Sequence, residues 1–143
     1  MLHIVTVTLL VVSVIQLLPL SGVLGAERLS ALYGISFNEP NLEIVMRHRA
    51  VLFGLLSVFL LYAAFQPSVQ LLAFIAALGS VVSFLWLAWS VGNYNEQVSG
   101  VFTADIVALV CLVVGFGAYL LAPPKLNNAL AIWRKRHEHR PGI

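Results

Sequence analysis

Four long apolar segments make up most of this chain, and they constrain its fold more than any other feature. They cover residues 2–20, 50–65, 69–91 and 101–121, and Asp105 is the only acid within them. Each is close to the ~20 residues that an α-helix needs to cross ~30 Å of hydrocarbon, and the second gains length from upstream residues. The segments therefore predict four transmembrane helices.

The composition leads to the same prediction independently. The 143 residues are 60% hydrophobic and 10% charged, with a mean hydropathy of +0.94, which leaves too little polar surface for a water-soluble fold. We expect an all-α fold, with a four-transmembrane-helix bundle over residues 1–124 and a basic tail over residues 125–143. The single cysteine, Cys111, has no partner within the chain, so no disulfide is expected.

Basic residues predict the orientation of these helices. Arg47, which precedes the second apolar segment, is offset by Glu43 four residues earlier, so it favours a cytoplasmic position only weakly. The tail holds five of the eight basic residues: Lys125, Arg134, Lys135, Arg136 and Arg140. Cytoplasmic segments are enriched in lysine and arginine, which predicts a cytoplasmic C-terminus. With four crossings, the N-terminus is cytoplasmic too.

The tail also has an amphipathic pattern. After Pro124, the apolar residues Leu126, Leu130 and Trp133 recur at helical spacing among the basic side chains. This pattern predicts a short interfacial C-terminal helix on the inner membrane surface. It would serve as a topology anchor or, alternatively, as a docking element for a partner.

The second long helix has a recognisable start and end. Asn38 or Glu39 is suited to cap it and Pro40 to occupy its first turn, so we expect a helix from about Pro40 to Phe65. The next connection, residues 66–68, is too short to separate two helices. The second and third helices are therefore predicted to be antiparallel neighbours.

Polar residues of the spans gather toward one face of the membrane. The second and fourth helices enter from the same side, so Arg47, His48 and Arg49 should lie at the same depth as Asp105. Three further side chains are expected near this level: Gln16, Trp86 and Tyr94.

Two interpretations of this cluster remain open. An unpaired carboxylate is costly inside a membrane, which favours a structural ion pair between Asp105 and Arg49. The alternative is a site for a lipid headgroup or a quinone, formed by Arg47, His48, Arg49, Asp105, Trp86 and Tyr94. Trp86 also fits an ordinary interfacial aromatic belt.

Other kinds of chemistry find no support in the sequence. No nucleotide-binding loop, HExxH or GxSxG motif is present. His3 and His48 begin helices at opposite membrane faces, so they cannot ligate one haem iron. We expect no catalytic residues, no metal, no cofactor and no nucleic-acid partner.

One stretch of the chain supports a resemblance. The residues 32–35, 39–43 and 47–54, the last reading RHRAVLFG, together with Asp105, resemble a group of small uncharacterised bacterial four-helix membrane proteins that is distantly DoxX-like. Some members carry the label phosphopantetheine adenylyltransferase, which needs a soluble α/β nucleotide-binding domain that this sequence lacks. The resemblance implies a bacterial inner-membrane location, and the DoxX name is linked to quinol-oxidising complexes.

These observations predict a non-enzymatic integral membrane protein. The first hypothesis is an accessory or assembly subunit of a larger membrane complex, with a lipid-contacting polar cluster in the outer leaflet. The alternative is a quinone-binding or redox-associated membrane component. The expected partners are the lipid bilayer and either another membrane protein or a second copy of the chain.

Overall fold

The computed structural model describes residues 2–36 and 38–121, and this part of the chain is helical without any strand. A 3-10 segment, Leu18–Leu24, continues the first helix, and a second, Pro67–Val69, leads into the fourth. The predicted all-α bundle is confirmed. The basic tail and its interfacial helix lie outside the described residues. The five α-helices of the described residues are α1 (Leu2–Leu17), α2 (Ala26–Tyr33), α3 (Pro40–Phe65), α4 (Gln70–Val91) and α5 (Glu96–Leu121).

Four of the helices form a bundle. Helix α1 packs against α3 and α5, and α4 packs against the same two, so α1 and α4 lie diagonally opposite. Helices α3 and α4 are neighbours across their short turn, as predicted. Each of the four long segments is long and apolar enough to cross a membrane, which fits a small multi-pass integral membrane protein: His3–Leu24, Pro40–Phe65, Pro67–Val91 and Glu96–Leu121.

The bundle is apolar both inside and outside. Its core contains Leu9, Phe74 and Leu112, each fully buried. The outer faces carry large apolar side chains as well; Leu55 and Val113, for example, are 62% and 60% exposed. A water-soluble bundle would place polar residues there, so the natural surroundings of these faces are lipid chains.

Helix α3 begins where the sequence predicts. The Glu39 carboxylate accepts hydrogen bonds from the backbone amides of Leu42 at 2.8 Å and Asn41 at 3.2 Å, and Pro40 occupies the first position. These bonds stabilise the ionised form, so they lower the pKa of Glu39 below its ordinary value. One turn further on, Arg47 pairs with Glu43 at 3.3 Å, as expected.

The connections contain more helix than the sequence pattern indicated. No helix was predicted between the first apolar segment, which ends at residue 20, and the second helix at about Pro40, but this stretch contains the two-turn helix α2. Gly25 and Gly34 flank α2 with φ values of 135° and 65°, which are accessible to glycine and allow sharp changes of chain direction. Leu29 and Tyr33 are its buried side chains. Helix α5 begins at Glu96, before the fourth apolar segment at residue 101.

Candidate functional site

A cavity of about 480 Å³ lies where α1 ends and α3 and α5 begin, and α2 forms one of its walls. We call this part of the bundle the α2 end, and the cavity the Asp105 cavity. Most of the lining is apolar, including Ile15, Leu32 and Val101. The side chains that give the cavity its chemical character are Gln16, Tyr33, Arg49, Phe53, Gln97 and Asp105.

Gln16 has an unusual position in this lining. It is only 2% exposed, and its Nε2 is the one fully buried side-chain nitrogen or oxygen in residues 2–36 and 38–121 that lacks a hydrogen-bond partner. A buried amide without a partner is destabilising by ~1 to 3 kcal/mol in mutational data. The amide therefore represents a hydrogen-bond donor that the fold itself leaves unsatisfied.

Arg49 contributes the positive charge. Its guanidinium carbon lies 5.1 Å from the ring centre of Phe53, 5.5 Å from that of Tyr33 and 5.7 Å from that of Phe84. Cation–π stacking of this kind stabilises a partly desolvated cation and positions it. Within the described chain, the Arg49 side chain makes no hydrogen bond or salt bridge.

Asp105 contributes the negative charge and is 7% exposed in the third turn of α5. The predicted direct ion pair between Asp105 and Arg49 is not formed. In the described part of the chain, the one salt bridge within 4.0 Å joins Arg47 to Glu43. Arg49 does act electrostatically on Asp105, and both line the cavity. The aromatic rings around the guanidinium give it stabilising contacts of a different kind, so the two charges face one cavity without touching.

A second cavity, also about 480 Å³, lies beside the first, and we call it the Tyr94 cavity. Tyr33 and Arg49 line both cavities and so form the wall that they share. Asn95 holds one side of the second cavity in place, since its Nδ2 donates to the Tyr33 carbonyl at 2.7 Å and its Oδ1 accepts from the Val98 amide at 2.9 Å. These bonds attach α2 to the start of α5.

The structure separates the six predicted site residues. Arg49 lines both cavities, Asp105 lines the first and Tyr94 the second, so only part of the predicted cluster is brought together. Three residues line neither of them: Arg47, His48 and Trp86. Arg47 donates from Nε to the Val23 carbonyl at 3.0 Å, His48 is exposed, and Trp86 is 63% exposed.

Trp86 instead packs edge-on against Trp89, with ring centres 5.7 Å apart. Two exposed tryptophans near a helix end fit the interfacial aromatic belt that the sequence also suggested.

Sequence reasoning missed the aromatic part of the site. Phe53 follows Arg49 by one helical turn, so the two side chains lie on one face of α3, and this spacing was an available signal. Tyr33 could be placed only once α2 was known to be a helix. The spacing of Leu29 and Tyr33, i and i+4, is a weak indication of that helix.

Searches against protein-family models, curated proteins and solved structures found no match to this chain. The resemblance to the DoxX-like group therefore stays a prediction. Among residues 2–36 and 38–121, no group of three or more His, Cys, Asp and Glu side chains is placed to hold a metal ion.

Proposed function

We propose that this chain is a non-enzymatic accessory or assembly component of the bacterial inner membrane, and that it holds a membrane amphiphile in the Asp105 cavity. The observation that carries the proposal is Gln16, a residue of the cavity lining that is 2% exposed and whose amide Nε2 has no hydrogen-bond partner within the described residues. A bound polar group that accepts its hydrogen bond would remove the cost of this burial.

The shape and lining of the cavity also favour an amphiphile. A volume of about 480 Å³ falls within the ~300 to 1,000 Å³ that is typical of small-molecule sites, and the lining is mainly apolar with a few polar groups. Leu18, on the same lining, begins the 3-10 segment after α1 and is 60% exposed. A ligand could therefore place its polar part in the cavity while its chain leaves past Leu18 into the lipid.

The proposed orientation places the α2 end in the outer leaflet and both termini in the cytoplasm. The support for it is the concentration of basic residues after Leu121. Reporter fusions that are active only in the cytoplasm or only outside it, placed after Ile143 and after Ser36, should give opposite signals. Equal signals from the two positions would contradict this topology.

Native mass spectrometry of the full chain, released from nanodiscs, tests the amphiphile proposal. Wild type should retain a stoichiometric lipid-like adduct, and Gln16→Leu should lose most of it. Gln66→Leu is a matched control, because Gln66 is exposed at the end of α3 away from the cavity. An adduct that is equal in all three proteins would contradict the proposal. A second protein that co-purifies would support the accessory role. A chain that is monomeric and without protein partners in native membranes would contradict it.

A quinone is the second candidate ligand. Its favouring observation is the two aromatic residues of the lining, Tyr33 and Phe53, with hydrogen-bond donors at Gln16 and Arg49 for a carbonyl oxygen. Organic extraction of the purified protein, followed by an absorbance scan, separates the two. A stoichiometric quinone spectrum would favour the redox-associated component over the lipid-holding one.

A further inference from the structure

We infer that the Asp105 cavity recognises a zwitterionic headgroup of the phosphoethanolamine type, with its phosphate toward Arg49 and its primary ammonium toward Asp105. The inference rests on the proposed function, because it names the chemical class of the amphiphile held there. It depends on three observations: the opposite charges on one cavity, the absence of direct contact between them, and the unpartnered donor of Gln16.

Charge is the first step. Among the described residues that line this cavity, Arg49 and Asp105 are the two that carry a charge, and they are of opposite sign. A purely anionic headgroup would be attracted by Arg49 but repelled by Asp105, and a purely cationic group would meet the reverse. A ligand that carries both charges can place each one near its opposite.

The gap between the two side chains is the second step. Opposite charges within a low-dielectric site attract strongly, and a direct pair would leave no room for a charged ligand between them. Here no nitrogen–oxygen distance between Arg49 and Asp105 falls within 4.0 Å, although the two interact electrostatically. Three aromatic ring centres lie within 5.7 Å of the guanidinium carbon. We place the bridging zwitterion in the cavity that both charged side chains line.

Hydrogen bonding is the third step. The Arg49 guanidinium makes no hydrogen bond within the described residues, so its N–H groups are available to donate to phosphate oxygens. The Gln16 amide offers one more donor for the phosphate or for an ester carbonyl next to it. Asp105, as an ionised carboxylate, only accepts, so a primary ammonium with three N–H donors suits it better than a trimethylated one, which has none.

Lipid competition tests the inference. Delipidated full-length protein is offered phosphatidylethanolamine, phosphatidylcholine and phosphatidylglycerol with identical acyl chains, and the bound fraction of each is measured by native mass spectrometry. We expect the ethanolamine lipid to be preferred over the glycerol lipid by at least ~10-fold, because the anionic headgroup faces Asp105 without a compensating cation. The choline lipid should fall between them.

Substitutions of the two charged residues give the decisive test in this competition experiment. Asp105→Asn should abolish the preference for phosphatidylethanolamine over phosphatidylglycerol or reverse it, whereas Arg49→Met should weaken the binding of all three lipids. Arg47→Met is the matched control, since Arg47 is exposed and lines neither cavity. If Asp105→Asn does not fold, Asp105→Glu keeps the charge and should keep the order of preference in a folded protein, while Arg49→Met still reports on the phosphate.

The outcomes separate this inference from the proposed function. Equal binding of the three lipids by wild type, or an unchanged preference in Asp105→Asn, would overturn the zwitterion inference while leaving an amphiphile in the cavity. Retention of no lipid by wild type would overturn both. Competition by soluble phosphoethanolamine would support recognition of the headgroup and would show that the cavity also binds the free compound. Failure of the soluble compound to compete, with the lipid order intact, would assign the site to the membrane lipid.

Discussion

Buried polar side chains are hydrogen-bonded in the middle of the bundle, whereas at its α2 end one of them has an atom without a partner. On α1, Ser13 donates to the Ser57 carbonyl of α3 at 2.9 Å, Ser57 donates back to the Ser13 carbonyl at 2.8 Å, and the two hydroxyl oxygens lie 3.1 Å apart. Gln16, less than one turn further along α1, is equally buried and lines the Asp105 cavity, but its amide nitrogen has no partner within the described residues. Ser13 therefore stabilises helix packing, because the neighbouring helix supplies its hydrogen-bond partner. Gln16 is available for ligand binding, because it lines a cavity and no neighbouring helix supplies a partner for its nitrogen.

Close helix packing shows the same contrast. In the middle of the bundle, Gly115 of α5 lies directly against Thr8 of α1; a Cβ at Gly115 would come within 2.5 Å of the Thr8 Cγ2 atom. Small residues allow such an approach between membrane helices. At the α2 end, the space between α1 and α5 is instead the Asp105 cavity. The same two helices thus change from tight contact to a ligand-sized opening over a few turns.

The largest expected effect comes from forcing α1 and α5 apart where they touch. Gly115→Val should lower the free energy of unfolding by ~1 to 3 kcal/mol, because overpacking displaces Thr8 and the helices on either side. Thermal unfolding in one fixed detergent measures it. Gly117→Ala is the control, since a Cβ at Gly117 meets no atom within 4 Å. Equal stability of wild type and Gly115→Val would show that the contact is not tight.

The serine pair should give the next largest effect. Ser13→Ala and Ser57→Ala should each lower the free energy of unfolding by ~0.6 kcal/mol and at most ~1.7 kcal/mol, the average and the maximum for hydrogen bonds between membrane helices. The double variant should lose less than the sum, because both substitutions remove the contact between the two hydroxyls. Fully additive losses in the same unfolding assay would contradict a shared interaction.

Gln16→Leu should move stability in the opposite direction. In delipidated protein, a leucine of similar size removes an unpartnered buried amide, so the free energy of unfolding should stay the same or rise by up to ~1 kcal/mol. Added lipid should then stabilise wild type more than the variant. If the delipidated variant is instead clearly less stable, Gln16 has a structural role like that of Ser13, and the contrast between the two regions fails.

The features that could be predicted from sequence are those set by composition and local chemistry. Four apolar segments require helices in a membrane, and the cap at Glu39 follows from side-chain reach alone. Helix α2 was not predicted because eight residues with two buried side chains give little periodic signal, and its fold depends on contact with Met46 and Val98.

The candidate site was only partly predictable for a related physical reason. Depth along each helix follows from chain position, so Arg49 and Asp105 could be placed at one level from the sequence. The direction in which each side chain points depends on helix rotation and on neighbouring rings. A direct ion pair was therefore expected, but the Arg49 guanidinium lies close to the rings of Tyr33, Phe53 and Phe84.

The smallest expected effect extends the comparison to a satisfied polar group at the start of α3. The backbone bonds from Leu42 and Asn41 lower the pKa of Glu39 below its ordinary value of 4.5, so its ionised form favours the folded state. This stabilisation is fully present above pH 4.5 and is lost as the pH falls through the folded pKa. The unfolding midpoint of wild type should therefore exceed that of Glu39→Gln at pH 7, and the difference should shrink at pH 3.

Glu27→Gln is the control, because the Glu27 side chain makes no hydrogen bond within the described residues. A difference that is the same at both pH values would mean that the cap acts through shape rather than charge, unlike the charged groups of the Asp105 cavity.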